Sequence, residues 1–318
     1  MRKKLRLLVV SLAAFAACGN PSAVAPAAAT APAGPPSPPA ARDPVVAAAG
    51  DIVCGTDSRG NPCKDRETRQ VALGMNPDAV LTLGDLQYET GSYPDFINFY
   101  EMSWGSFRSI TQPVPGNHEY MTPSARGYFD YWNGLSAFSG PAGDRDKGYY
   151  AFNLGDWHIV GLNSECGRIG GCGSSSPMAS WLRQDLAANR RACTLAYWHT
   201  PLFSSGQNGG TPAMRPVWQI LYDAGVDVVL NGHDHSYERF APQTPAGAAD
   251  PARGIRQFVV GTGGRNLTPF PTIQPNSELR DSSSFGVLQL RLHPTSYDWQ
   301  FHAIPGMALA DRGVGLCH

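Results

Sequence analysis

Five short apolar runs, each closely followed by a polar side chain, constrain this chain more than any other feature. In chain order the polar residues are Asp51, Asp85, Asn117, His199 and His233. Their carboxylate, amide and imidazole groups are oxygen and nitrogen donors that suit iron, zinc or manganese. In open α/β sheets, ligands bind beyond the carboxyl ends of the strands, so we expect these side chains to converge. One aspartate after a strand usually caps a turn or a helix, but capping does not explain all five.

Segments with helical spacing alternate with the strand-like runs. Helices are predicted at residues 65–75, 93–104, 178–188 and 214–224. Strands are predicted at residues 45–49, 79–83, 110–114, 149–153, 157–162, 194–198, 226–230, 257–260, 286–292 and 296–302. The alternation favours α/β layers, and the purely β pattern of the C-terminal part favours a second sheet.

The composition argues against two classes of protein. Hydrophobic residues make up 42% of the 318 residues and charged residues 16%, which is typical of a folded chain rather than a disordered one. The formal net charge is −1, so no general positive field exists to attract a nucleic-acid backbone or an anionic membrane. We therefore expect no nucleic-acid partner.

The N-terminal residues predict an export signal. A basic start at residues 2–6 precedes an apolar run at residues 7–17, which is shorter than the roughly 20 residues of a spanning helix. The sequence Phe15-Ala16-Ala17-Cys18 resembles a bacterial lipoprotein signal, in which Cys18 is lipidated after cleavage. Ordinary cleavage near the alanines is the alternative.

This reading divides the chain into three parts. Residues 1–18 are the signal, residues 19–44 are a Pro/Ala-rich linker without apolar periodicity, and residues 45–318 are the folded domain. We expect an exported protein, periplasmic or at the cell surface if it is lipid-anchored, and otherwise secreted. Membrane contact is expected only through the N-terminal lipid.

The seven cysteines fit an exported protein. If Cys18 carries lipid, six remain, and an even set favours disulfides, although many pairings are open. We favour the local pairs Cys54–Cys63 and Cys166–Cys172, which leaves Cys193–Cys317 to connect the C-terminus to the core. A thiolate metal site is the alternative, but the chain contains no Cys-x-x-Cys pair.

The blocks that carry the polar residues form an ordered set of motifs. They are Gly50-Asp51, Gly84-Asp85-Leu86-Gln87-Tyr88, Gly116-Asn117-His118-Glu119, Tyr197-Trp198-His199 and Gly232-His233-Asp234-His235. With these blocks the chain resembles the calcineurin-like metallophosphoesterases and, within them, the purple acid phosphatases, over about residues 45–303. The resemblance implies an α/β fold, a four-layer α/β/β/α sandwich of two mixed β-sheets, with residues 45–318 as the catalytic domain.

The resemblance also implies a dinuclear metal centre in which Asp85 bridges the ions. One ion is held by Asp51, Asp85, Tyr88 and His235, and the other by Asp85, Asn117, His199 and His233. Most of the family has a histidine where this chain has Val53, and Tyr88 stands where purple acid phosphatases have a tyrosine ligand. Phenolate favours Fe(III), so we expect Fe(III) with a divalent zinc, iron or manganese ion.

The implied activity is hydrolysis of a small-molecule phosphate monoester by a metal-activated hydroxide. His118 is implied as the catalytic residue that contacts the phosphate and helps to protonate the leaving group, and Glu119 as a residue that orients a neighbour. Two alternatives stay open: a phosphodiesterase or nucleotidase with the same centre, and a surface-binding lipoprotein with a vestigial metal site.

One feature departs from the resemblance, and three others lie outside it. Purple acid phosphatases have one or two histidines where this chain has residues 204–209, so Asn208 becomes the candidate substrate contact and more of the acid role falls on His118.

The loops at about residues 120–147 and 203–213 are expected to set specificity. The glycine-rich stretch at residues 261–264 is interpreted as a tight turn rather than a phosphate loop. The other histidines are interpreted as structural or solvated: His158, His293, His302 and His318.

Overall fold

The computed structural model describes residues 42–55 and 63–318. The predicted signal, the lipidation site Cys18 and nearly all of the linker lie outside these residues. Among the helices that are described, none combines the length and the apolar character needed to cross a bilayer.

Thirteen strands occur in the described residues. They are β1 (Val45–Ala49), β2 (Ala79–Leu83), β3 (Thr111–Val114), β4 (Tyr150–Leu154), β5 (Trp157–Gly161), β6 (Cys193–Tyr197), β7 (Val228–Asn231), β8 (Tyr237–Phe240), β9 (Arg256–Val260), β10 (Ser277–Asp281), β11 (Gly286–Leu292), β12 (Ser296–Ala303) and β13 (Ala310–Leu316). Two sheets form, in the orders β13-β12-β11-β1-β2-β3 and β10-β8-β9-β7-β6-β5-β4. Both are mixed: in the first sheet the parallel strands β1, β2 and β3 form one edge and the other pairings are antiparallel, whereas in the second the parallel strands lie in the middle with antiparallel strands on both sides.

Helices cover the outer face of each sheet. The α-helices are α1 (Asp65–Gly74), α2 (Tyr93–Asp95), α3 (Arg126–Asn133), α4 (Pro177–Ala188) and α5 (Arg215–Asp223). A π-helical turn spans Phe96–Tyr100, and 3-10 turns span Trp104–Ile110, Glu119–Met121, Pro123–Ala125, Cys166–Arg168 and Pro212–Met214. The first three α-helices lie on the first sheet and the last two on the second.

The strand β1 shows why the central strands are apolar on both faces. Val46 and Ala48 pack in the core between the two sheets, whereas Val45, Ala47 and Ala49 pack under the helices of the first sheet. A strand buried on both sides needs a continuous apolar run rather than an alternating one. The layers therefore confirm the predicted α/β/β/α sandwich.

One predicted helix has a different geometry. Residues 93–104 were expected to form a single α-helix, but only Tyr93–Asp95 is α-helical before the π-helical turn. There the N–H of Glu101 donates to the carbonyl of Phe96 at 2.9 Å. The wider turn leaves Phe96 and Tyr100 both fully buried beside Tyr131, with ring centroids 4.9 and 5.6 Å from it.

Several elements were not predicted from the sequence. The region at residues 120–147 was expected to be a loop, yet it contains α3, whose buried aromatic residues pack on the first sheet. Its buried aromatic residues Tyr128, Phe129, Tyr131 and Trp132 have helical spacing, so the sequence held a signal for this helix. The strands β8, β10 and β13 were missed because their sequences are polar or contain glycine.

Three disulfides connect the six cysteines of the folded domain. They are Cys54–Cys63, Cys166–Cys172 and Cys193–Cys317, the pairs that the sequence favoured. The third joins residues 124 apart in the chain and links the start of β6 in the second sheet to the residue after β13 in the first.

Removing the Cys193–Cys317 bond by the double substitution Cys193→Ala/Cys317→Ala is expected to lower the free energy of unfolding by about 2–5 kcal/mol. The bond closes a loop of 124 residues, and the entropy that a crosslink removes from the unfolded chain grows with loop length. Urea denaturation without reductant measures the change.

The matched control is Cys166→Ala/Cys172→Ala. Each pair joins one buried cysteine to one partly buried cysteine, but the control pair is only 6 residues apart. The control should therefore lose less stability. An equal or larger loss in the control would contradict the role of loop length.

Candidate metal centre

The five polar residues that follow apolar strands lie close together, at the edge where the carboxyl ends of strands from both sheets meet. Asp51 and Asp85 follow β1 and β2 of the first sheet, and His199 and His233 follow β6 and β7 of the second. Asp51, Asp85 and His233 have φ values of 59°, 50° and 73°. Left-handed backbone is unfavourable for non-glycine residues and often marks functional sites, because the surrounding structure must hold it in place.

The first set of donor atoms surrounds the hydroxyl of Tyr88. Its Oη lies 2.8 Å from Asp51 Oδ1, 3.1 Å from Asp85 Oδ2 and 3.0 Å from His235 Nε2. His235 Nε2 lies 3.3 Å from Asp51 Oδ1. Four side chains from three loops thus bring one donor atom each into a single cluster.

The second set surrounds His199 Nε2. This atom lies 3.1 Å from Asn117 Oδ1, 3.2 Å from Asp85 Oδ2 and 3.2 Å from His233 Nδ1. Asp85 Oδ2 therefore belongs to both sets. His233 and His235 lie in one turn and point into different sets, although they are only two residues apart.

Backbone carbonyls fix the orientation of two of the histidine rings. His199 Nδ1 donates to the carbonyl of Leu83, and His235 Nδ1 donates to the carbonyl of Asn266, both at 2.8 Å. Since a carbonyl can only accept, the proton lies on Nδ1 in each ring. In the neutral ring, Nε2 then carries the lone pair and directs it toward the other atoms of its donor set, as in a metal-ligating histidine.

The donor sets fit two metal ions. Ligands about 2.0–2.2 Å from an ion, at right angles to each other, lie about 3 Å apart, which matches the distances within each set. In the second set, His199 Nε2 lies 3.1 Å from Asn117 Oδ1 and 3.2 Å from His233 Nδ1, and all three atoms can act as acceptors. Acceptors this close together are stable only when a proton or a metal ion lies between them.

The pKa shifts of the metal-free protein also indicate that the buried donor residues favour a positive charge among them. Burial disfavours the ionised Asp85 carboxyl, yet the charges and hydrogen bonds of His199 and His118 together outweigh burial and lower the pKa of Asp85 below its usual range. Burial likewise disfavours imidazolium at His199, but the Asp85 charge raises the pKa of His199 above its usual range. A proton and a metal ion thus compete for the same ligand.

The position that holds a histidine in most of the family lies in the apolar core. Val53 is only 3% exposed and packs among apolar side chains beneath the first sheet. Its backbone is paired instead with the next loop: the N–H of Val53 donates to Leu86 at 3.0 Å, and the N–H of Tyr88 donates to Val53 at 2.7 Å. Val53 therefore positions Tyr88 through the main chain.

Glu119 holds two ligand loops together. Its carboxylate is fully buried and accepts four backbone N–H bonds at 2.7–3.3 Å. The donors are Asp85, Leu86, Gln87 and Gly116. Burial and the charge of Asp85 raise the pKa of Glu119 to about 7. The four N–H donors favour the ionised carboxylate, which is the form suited to orienting Asp85.

His118 lies beside the first donor set. Its Nδ1 donates to the carbonyl of Glu89 at 2.5 Å, and its ring centroid is 4.3 Å from that of Tyr88. Its Nε2 is 3.9 Å from Asp85 Oδ2, and its side chain is 18% exposed. The nitrogen that faces the centre is thus the one left free to carry a transferable proton.

Asn208 lies next to the second donor set. Its side-chain Nδ2 donates to the carbonyl of His233 at 2.9 Å, and its backbone N–H donates to Asp234 Oδ1 at 2.7 Å. One of the two amide N–H bonds is therefore committed to the turn that carries a donor residue. The residue is exposed, so its other polar atoms face solvent.

Two buried carboxylates without an assigned role in the sequence analysis hold the loop at residues 204–208. Asp234 accepts a hydrogen bond from Ser204 Oγ, and Glu238 accepts from the backbone N–H and hydroxyl of Ser205 at 2.8 and 2.5 Å. Both acids are fully buried. Both acids lie in the sequence block from Gly232 to Arg239, and this position was the only feature of the sequence that could have pointed to a role for them.

The glycine-rich stretch packs its backbone against the loop of Asp51. A Cβ added to Gly263 would lie 2.5 Å from the carbonyl oxygen of Gly50, and one on Gly264 would lie 2.2 Å from that of Ile52. The next N–H, of Arg265, donates to the carbonyl of Asp51 at 2.9 Å. The stretch is therefore a close-packed turn that supports the centre.

The other four histidines hydrogen-bond to groups outside both donor sets. The pairs are His158 with Asn153 and Asp185, His293 with Asp43, His302 with Gln289, and His318 with the carbonyl of Arg253.

Comparison with known proteins agrees with this geometry. A family model described as calcineurin-like phosphoesterase matches residues 45–237. Purple acid phosphatase 15 of Arabidopsis thaliana is 30% identical over 195 residues, which are 52% of this chain and 36% of that protein. The chain thus spans about a third of the length of this relative.

Two solved structures share the fold. Purple acid phosphatase PPD1 from yellow lupin seeds has a TM-score of 0.68 and 18% identity, over 85% of this chain and 53% of that one. GAP50, described as the anchor in the inner membrane complex of Plasmodium, has a TM-score of 0.62 and 13% identity, over 87% and 90% of the two chains. At this identity the likeness shows the fold, and function must be argued from the site.

The substitution Glu119→Gln is expected to weaken the centre without removing a ligand. The amide NH2 would face backbone N–H donors, so we expect about 2–3 kcal/mol less stability in the metal-free protein. Metal affinity should fall about 10–100-fold, as when other groups that orient ligands are lost. Urea denaturation and metal content after equilibrium dialysis measure the two effects.

Glu67→Gln is the control, because Glu67 pairs with Lys64 at the surface at 2.9 Å. It should change neither quantity by a comparable amount. Wild-type metal affinity in the Glu119→Gln protein would show that the carboxylate does not organise the ligand loops.

Proposed function

The chain belongs to the calcineurin-like phosphoesterase family, and on that basis we propose that it hydrolyses phosphate monoesters at a dinuclear metal centre. One observation carries the proposal. Two sets of four donor atoms, each with neighbours about 3 Å apart, share Asp85 Oδ2. A shared carboxylate is the arrangement by which two ions are held about 3.5–4 Å apart for phosphoryl chemistry.

The donors divide into a more anionic and a more neutral set. Asp51, Asp85 and Tyr88 can bring negative charge to the first set, which suits Fe(III), whereas Asn117 brings none to the second. We propose Fe(III) in the first set and a divalent zinc, iron or manganese ion in the second. When bound, the ions supply a water of lowered pKa and positive charge for the phosphate oxygens.

The exposed side of the centre defines where a substrate binds. Asp51, Asp85, Tyr88 and His199 are almost completely buried, whereas Asn117, His118, His233 and His235 are partly exposed. A phosphate ester therefore reaches the centre along the partly exposed residues, with Asn208 beside His233. The buried residues hold the geometry and exclude water from the other side.

His118 is the residue that we propose to protonate the leaving group. Nδ1 donates to a backbone carbonyl, so Nε2 is the atom that exchanges a proton with the substrate oxygen. The residues that replace the additional histidines of purple acid phosphatases contain no imidazole, and Asn208 cannot donate a proton in the same way. The acid role therefore falls on a single histidine.

Charge favours a monoester as the substrate. Asp51, Asp85 and Tyr88 would bring three negative charges to an Fe(III)–M(II) pair, so the centre would keep a net positive charge toward its substrate. A monoester dianion gains more from this charge than a diester monoanion does.

We also propose that the protein is exported. Three disulfides persist only where the environment is oxidising, and this agrees with the signal-like N-terminus. Lipidation of Cys18 would hold the protein at a membrane surface, periplasmic or outside the cell. Mass spectrometry of the mature N-terminus distinguishes a lipidated cysteine from ordinary cleavage.

The substitution Tyr88→Phe tests the iron site. Protein purified without chelator should hydrolyse a chromogenic phosphate monoester and show a visible band from charge transfer between tyrosinate and Fe(III). Phenylalanine keeps the buried ring but removes the donor atom, so the band should disappear. An unchanged spectrum would reject Tyr88 as a ligand.

The same preparation separates the other functions. Comparing kcat/KM for p-nitrophenyl phosphate and bis(p-nitrophenyl) phosphate distinguishes a monoesterase from a diesterase. Two ions per chain with no turnover on either ester or on a broader panel would instead support a binding protein with a vestigial centre.

The substitution His118→Asn tests the proton donor. Asparagine can keep an N–H donor near the carbonyl of Glu89 but cannot deliver a proton, so kcat should fall about 10²–10⁴-fold with unchanged metal content. The loss should be larger for an alkyl phosphate than for p-nitrophenyl phosphate, whose leaving group departs without protonation.

His302→Asn is the control, because this half-buried histidine hydrogen-bonds to Gln289 outside the centre. It should leave kcat near the wild-type value. An equal loss on both esters in the His118→Asn protein would argue against a role as proton donor.

A further inference from the structure

We propose that Arg265 is a positioning residue that tunes the donor strength of Tyr88, and that Glu89 moderates its effect. This inference rests on the proposed iron site. The guanidinium carbon of Arg265 lies 4.7 Å from the centroid of the Tyr88 ring. Its Nη2 forms an ion pair with Glu89 Oε1 at 2.5 Å. The motif blocks in the sequence assigned no role to either residue.

The arginine is held in place by main chain and burial. Its side chain is 10% exposed, and its backbone N–H donates to the carbonyl of Asp51 at 2.9 Å. The glycines before it pack backbone to backbone against the loop of Asp51. The cation is therefore fixed relative to two residues of the first donor set, rather than free to move on the surface.

A cation over the face of an aromatic ring stabilises the electrons of that ring. The effect is larger where the pair is shielded from water, as here, because the effective dielectric constant is low. Applied to a tyrosinate ligand, it lowers the energy of the filled π orbitals. Tyr88 then gives less electron density to Fe(III), and the ion stays more electrophilic toward the substrate.

Glu89 links this cation to the proton donor. Its side chain pairs with Arg265, while its backbone carbonyl accepts the hydrogen bond from His118 Nδ1. The ring of His118 also contacts Tyr88, at 4.3 Å between centroids. The Glu89 carboxylate partly cancels the charge of Arg265, so the two side chains act on the tyrosine in opposite directions.

The energy of the visible charge-transfer band measures this field directly. In Arg265→Gln the filled orbitals of Tyr88 rise, so the band should move to longer wavelength by on the order of 10–20 nm, the scale of a desolvated cation–π interaction. In Glu89→Gln one negative charge beside the arginine is removed, so the band should move to shorter wavelength. Glu89→Gln leaves the backbone carbonyl that binds His118 unchanged. Arg265→Lys keeps a cation and should stay closer to the wild type.

Band shifts in opposite directions distinguish electrostatic tuning of Tyr88 from a packing role of Arg265 and Glu89. A purely structural role would shift the band of both variants in the same direction or leave both bands unchanged. Iron content and circular dichroism are recorded for each protein, and the shift is compared at equal iron loading. If Arg265→Gln does not fold, the shift of Glu89→Gln to shorter wavelength still decides. Shifts that are absent or in the same direction would overturn this inference while the iron centre stands. A wild-type protein with iron but no visible band would overturn the iron–tyrosine centre itself, and this inference with it.

Discussion

The position of Asp85 Oδ2 is the constraint on which the rest of the site depends. This one oxygen lies 3.1 Å from Tyr88 Oη in the first donor set and 3.2 Å from His199 Nε2 in the second. Tyr88 follows a strand of the first sheet and His199 follows a strand of the second, so the centre exists only where the two sheets meet. Any change in how the sheets pack would separate the donor sets. The core between the sheets therefore determines the distance between the two donor sets as well as stability.

Around this oxygen, buried carboxylates hold the surrounding loops in place by accepting hydrogen bonds from them. Glu119 accepts four backbone N–H bonds from the loops of Asp85 and Asn117, and Asp234 and Glu238 hold the loop that ends at Asn208. Loops have high conformational freedom, and a site built on them is precise only if their backbone groups are bound. The acids meet this need because each accepts two or more hydrogen bonds at once, from backbone N–H groups and, for Asp234 and Glu238, also from serine hydroxyls. The site is thus preorganised by carboxylates that do not belong to the donor sets.

The fold and the donor residues could be predicted because their signal is local. A buried strand is a continuous apolar run, and each ligand stands a few residues after one, so Asp51 and His233 are recognisable without knowing what they contact. The π-helical turn could not be predicted, since its shape depends on aromatic packing between distant segments. Arg265 and Glu89 were missed for the same reason. They lie 176 positions apart, as their numbers show, and only the fold brings them together over Tyr88.

The strand β6 has a disulfide-bonded cysteine at its start and a donor residue just beyond its end. It begins at Cys193, which is bonded to Cys317, and two residues after its end comes His199. The disulfide and the donor residue therefore lie at opposite ends of one strand. β6 lies in register between β5 and β7, and His199 already faces its partners in the metal-free structure. Pairing of the cysteines is therefore expected to position His199 before any metal binds, so that metal binding requires no rearrangement of β6.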